Sequence, residues 1–121
     1  MHVERRRKRS SFAGLALQYW LSSIVQKKRL FALVVSDSAG LLIASSLHGP
    51  EAEELAAVAP LLGRPGEDGV QLDRPDIPMV VHKLEVDRSS LYLCAVGDRI
   101  RGKESIRLAA SGVRRILTAE A

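Results

Sequence analysis

"VVSDSAGLLIAS", Val34 to Ser45, places an aspartate and a glycine between two short apolar runs. The runs, Leu30 to Val35 and Leu41 to Leu47, are aliphatic or β-branched, as strands require. Between them, the side chains of Ser36, Asp37 and Ser38 can close local Asx or Ser turns, and Gly40 can take the positive φ of a tight reversal. The stretch therefore predicts a β-hairpin. Its first strand is apolar on both faces, which predicts a central strand covered by helices on each side.

Downstream, "HGPEAEELAAVAPLLGR" carries a proline at a first helical position, acids at Glu51, Glu53 and Glu54 to suit the positive N-terminal end, and a stop at Gly63. Ala52, Leu55, Ala59 and Leu62 make one stripe of that helix. Val58 and Leu61 lie on a flank, and Pro60 predicts a bend or a tightened last turn. Upstream, Phe12 to Lys28 reads as a helix, with Ser10 or Ser11 as cap and Lys27, Lys28 and Arg29 at the negative end. Its apolar residues cover well over half the circumference, so it has more to bury than one sheet face can take.

The Gly-, Pro- and Asp-rich segment from Arg64 to Pro78 offers only Val70 to Leu72 as a short edge strand. Met79 to Val86 alternates, "DRSS" reverses the chain, and Leu91 to Val96 is again apolar on both faces. From Arg101 to Ala119, Ile106, Ala109, Ala110, Val113 and Leu117 keep helical spacing. The two doubly apolar strands belong side by side at the centre of one antiparallel sheet sandwiched by helices.

The chain has 121 residues, enough for a single domain, with 46% apolar and 4% aromatic residues. The single cysteine, Cys94, excludes an internal disulfide framework and reads as a small buried hydrophobe. His2, His48 and His82 have no metal-ligand spacing, so neither metal nor cofactor is expected. The formal charge of +4 is concentrated in "ERRRKRSS". Residues 1–10 read as a basic flexible arm and residues 11–121 as the domain. "FAGLALQYWLSSIV" is too short and too polar for a membrane span and lacks the features of a signal peptide, which predicts the cytoplasm.

Two motifs imitate nucleotide chemistry. Gly97, Gly102 and Lys103 reproduce G-x-x-x-x-G-K between a strand and a helix. The magnesium-binding hydroxyl that should follow is replaced by Glu104, and Asp98 adds a second negative charge. Asp37 to Gly40 matches D-x-x-G but lies upstream of the loop rather than downstream. No serine sits in G-x-S-x-G, and the three glutamates suit a helix dipole better than acid/base work. The expected chain is not an enzyme and has no catalytic residues.

"FALVVSDSAGLLIASSLHGPEAEELAAVAPLL", Phe31 to Leu62, resembles the core signature of the Roadblock family, named for the dynein light chain: strand, Asp/Gly turn, a strand reading "GLLIAS", and an acidic, alanine-rich helix. The likeness runs in order over most of the chain from Phe12. It implies an α+β, Roadblock-like (profilin-like) fold: a five-stranded antiparallel sheet with one helix on one face and two on the other, in the order α-β-β-α-β-β-β-α. It also implies a homodimer, with edge strands joined and second helices side by side. Carried to this chain, the dimer interface is Val58, Leu61, Leu62, Val70, Leu72, Met79 and Val81.

On the same resemblance, Phe12, Leu15, Tyr19 and Trp20 of the first helix remain for a further partner. That partner is a small Ras-like GTPase or a second Roadblock protein. The bacterial branch includes both a stimulator of a Ras-like GTPase and an accessory subunit. Arg64, Arg99 and Arg101 are possible arginine fingers, none singled out by the sequence. No nucleic acid is expected as a partner. The alternative is a nucleic-acid or anionic-membrane binder acting through Arg5 to Arg9, whose binding would collapse with salt.

Overall fold

The computed structural model describes the backbone of residues 2–62 and 78–119 and the side chains of residues 14–61, 78–98 and 100–118. Three helices and four strands follow in the order α1 (His2–Lys28), β1 (Ala32–Asp37), β2 (Leu42–Ser45), α2 (Pro50–Leu62), β3 (Met79–Val86), β4 (Ser89–Val96) and α3 (Arg99–Ala119). The strands form one antiparallel sheet in the order β2-β1-β4-β3. The doubly apolar strands are therefore neighbours at the centre, as their composition predicted. The expected fifth strand at Val70 to Leu72 lies outside the described residues.

Alternation along the strands divides the core into two layers. Leu33, Val35, Leu93, Ala95, Val80 and Leu84 meet Leu17, Leu21 and Ile24 of α1 and Ile106, Ala109 and Val113 of α3. On the other face, Ala32, Val34, Cys94 and Val96 meet Ala56 and Ala59 of α2. The alanines let α2 lie close to the sheet, while each fully buried leucine of the first layer contributes about 1.5–3 kcal/mol.

The first helix begins at His2, ten residues before the expected start at Phe12, so Ser10 and Ser11 lie inside it rather than capping it. The reason is local: Glu, Arg and Lys are good helix formers, and neither Gly nor Pro interrupts residues 2–13. The basic run Arg5 to Arg9 is thus helical in its backbone. The helix closes with Arg29 at φ 55° and the Leu30 amide donating to the Val25 carbonyl at 3.1 Å, a Schellman-type end with arginine in the usual glycine position.

The second hairpin reverses at Asp87 and Arg88, both at positive φ (48° and 68°), between the paired Val86 and Ser89. Two left-handed residues are what a two-residue type I′ turn needs to match the strand twist. Strand β4 consequently starts at Ser89, two residues before the apolar run. Pro60 is accommodated within the last turn of α2.

Candidate functional site

Each imitation of nucleotide or hydrolytic chemistry resolves into a structural device. One Asp37 carboxylate oxygen accepts the amides of Ala39 and Leu41, both at 2.9 Å, and the Gly40 amide donates to the Asp37 carbonyl at 3.0 Å. Gly40 has φ +82°, and a Cβ there would stand 3.1 Å from Cα of Ala57. The glycine thus serves both the turn and the close seat of α2. Ser36 is fully buried beside a bulge in the β1–β2 pairing, and its hydroxyl has no hydrogen-bond partner among the described residues.

Gly97 to Lys103 is likewise accounted for. Gly97 has φ +141° and packs on Leu30 and Phe31, while Gly102 lies inside α3, where a Cβ would meet Val80 at 3.3 Å. Asp98 caps α3: its carboxylate accepts the amides of Ile100 (2.9 Å) and Arg101 (3.1 Å). A carboxylate therefore sits on the first-turn amides that a phosphate loop would offer to an anion.

The protein's polar chemistry is otherwise dispersed. Gln18 and His48 are joined at 3.2 Å between α1 and the β2–α2 connection, away from Asp37. Among the described residues, no group of three or more His, Cys, Asp or Glu is gathered as a metal would need. Cys94 is buried in the α2-side layer, and burial pushes its thiol from 9.0 up to about 12, which makes it a poor nucleophile. Among the described residues, no helix is long and apolar enough to cross a membrane.

What remains as a candidate site is surface. On α2, Leu61 is 79% exposed and Val58 half-buried, so the expected flank does project away from the core; the side chain of Leu62 lies outside the described residues. On β3, the expected edge strand, the side chains of Met79 and Val81 are each 1% exposed. They belong to the α2-side layer because odd positions of β3 face it. The strand's outer backbone lies at the end of the described sheet. Val70 and Leu72 lie outside the described residues.

On α1, Leu15 (51%) and Tyr19 (70%) are exposed one turn apart, and the side chain of Phe12 is outside the described set. Trp20 makes an internal contact. It is half-buried, its indole N–H donates to the Ala109 carbonyl at 3.3 Å, and the Arg115 guanidinium lies 5.6 Å from its ring centroid. Gly112 leaves the space that the indole occupies. Nothing local in the sequence links Trp20 to Gly112, so that lock was missed. The Asp98 cap, in contrast, had a visible signal in an aspartate just ahead of a helix.

No family model matches the chain, and no curated protein matches it in sequence. Among solved structures it is similar to Myxococcus xanthus MglB, with a TM-score of 0.67 and 10% identity over 88% of this chain and 91% of that one. It is also similar to a structure described as MglB with tetrameric arrangement, with a TM-score of 0.65 and 15% identity over 90% and 93%. The chain, with three helices and a four-stranded antiparallel sheet among its described residues, therefore shares the α+β, Roadblock-like fold of the MglB structures.

Proposed function

We propose that this protein is a non-catalytic dimeric regulator of the Roadblock type, which binds a small Ras-like GTPase or a second Roadblock protein and modulates its state or location. The observation that carries this reading is an open β3 edge in the described sheet together with the 79% exposed Leu61 at the end of α2. An exposed strand edge invites pairing, and an exposed large apolar side chain gains from being covered. The fold shared with MglB, one form of which is described as tetrameric, supports assembly through such surfaces. The sequence resemblance supplies the partner class, and its bacterial branch includes the MglB and MglC types.

In the assembled dimer, β3 backbones pair across a two-fold axis and the Val58 and Leu61 flanks of the two α2 helices pack together. Leu15 and Tyr19 on α1 stay outside that contact and receive the further partner. Specificity for the partner then rests on this apolar pair rather than on a catalytic group. The test is sedimentation velocity of the full chain mixed with purified Ras-like GTPases, loaded with GDP or a GTP analogue, and with a second Roadblock protein from the same cell. A saturable complex that Tyr19→Asp weakens is expected. Absence of a complex with all of them at micromolar concentrations would overturn the reading.

A further inference from the structure

We infer that the cleft between β3 and α3 binds an extended acidic segment of a protein partner. The inference concerns a single protomer and stands apart from the dimer and the GTPase reading. Val80, Leu84 and Val86 of β3 are buried against the α1/α3 layer, but His82, on the same face, is only partly covered. A cleft of about 180 Å³ opens there, lined by His82, Lys103, Ile106, Arg107 and Ala110. Gly102 brings the start of α3 down onto Val80, which carries the adjacent Lys103 to the rim.

Every ionisable group lining this cleft is basic. The ion pair between Lys83 and Glu85, at 3.6 Å, belongs to the opposite face of β3, and neither Lys103 nor Arg107 is in an ion pair among the described residues. Glu104 lies about 100° around the helix from Lys103 and does not line the cleft. An anion entering here meets two cations and a histidine that becomes a third when protonated.

Spacing identifies the kind of anion. Lys103 and Arg107 are one helical turn apart, about 6 Å along the axis, and Arg114 continues the same stripe to a total of about 16 Å. Side chains on one face of an extended strand recur every 6.6 Å or so. Two carboxylates at alternate positions of such a segment therefore match Lys103 and Arg107, whereas a single phosphate reaches one point of the pair. The floor is aliphatic, Ile106 and Ala110, and none of the lining residues is a Phe, Tyr or Trp of the kind that makes a stacking platform for successive bases.

The full chain can be titrated with a hexapeptide of alternating glutamate and alanine while the two described histidines are followed by nitrogen-detected NMR. The comparison probes are the same residues in two blocks, inorganic phosphate, and a short oligothymidine. The expected result is saturable binding of the alternating peptide, a move of the His82 ring nitrogen signals that saturates with it, and no move at His48. The variant Lys103→Gln/Arg107→Gln, altered at two exposed positions, should weaken binding at least about tenfold while its unfolding midpoint stays unchanged. Equal binding of the block peptide, tighter binding of phosphate or oligothymidine, an equal move at His48, or an unaffected double variant would each overturn the inference.

Discussion

Replacing Gly112 by alanine tests whether the Trp20 lock between α1 and α3 governs that helix pair. In an exposed helix interior the change stabilises by about 1 kcal/mol, because alanine is the better helix former. Here the new Cβ would stand 2.7 Å from Cζ2 of Trp20 and closer still to Nε1 and Cε2. The rigid indole has to leave. Displacing a half-buried tryptophan forfeits about 2 kcal/mol of burial, and its bond to the Ala109 carbonyl adds about 1 kcal/mol. The stacked Arg115 contributes a further 0.5 kcal/mol or so.

Gly112→Ala should therefore destabilise by about 1–3 kcal/mol, measured by urea unfolding followed through the fluorescence of the single tryptophan. In a Trp20→Ala background, followed by circular dichroism, the same substitution should stabilise by about 1 kcal/mol, reversing its sign. A stabilising effect in both backgrounds would refute the reasoning, because helix propensity alone would then account for the position.

Other substitutions read other devices. Asp98→Ala should cost about 1 kcal/mol through loss of the α3 cap, and it should not create nucleotide affinity; a thermal melt and a nucleotide titration check both halves. Asp87→Asn with Arg88→Gly supplies the preferred type I′ pair and should stabilise by roughly 0.5–1 kcal/mol, whereas a loss would argue against the turn type. For Cys94, the folded thiol titrates near 12 against 9.0 for the unfolded chain, so the native state holds its proton more tightly. Its contribution is complete below pH 9.0 and is lost as pH rises from there towards 12. Cys94→Ala should show a shallower alkaline loss of stability than the native chain, and identical slopes would refute the assignment.

Much of the fold was legible because its signals are local. The aspartate and glycine of residues 37–40 encode one turn, alternation in residues 79–86 encodes a half-covered strand, and double-sided apolarity in residues 91–96 encodes a central one. The start of α1 was not legible, because a basic run reads equally as a solvated arm or as helix until something extends it. Which way Met79 and Val81 face was not legible for a similar reason. An apolar residue on an edge strand can face the core or a partner, and only the layer opposite decides which.

The candidate surfaces divide along the same line. Val58 and Leu61 were visible as an off-stripe flank of a short helix, a property of spacing alone. Trp20 is one of the apolar residues that cover well over half the circumference of α1, and a glycine ninety-two positions later in the chain gives it an internal seat. The basic cleft at His82 joins a strand to a helix, so nothing local in sequence links His82 to the Lys103 and Arg107 pair.

The most direct test of the central claim is sedimentation equilibrium of the full chain beside Leu61→Arg, an exposed substitution that leaves the core untouched. The proposed assembly predicts a dimer for the native chain and a dissociation constant raised at least about tenfold in the variant, with circular dichroism unchanged. A native chain that remains monomeric, or a dimer indifferent to the arginine, would contradict it.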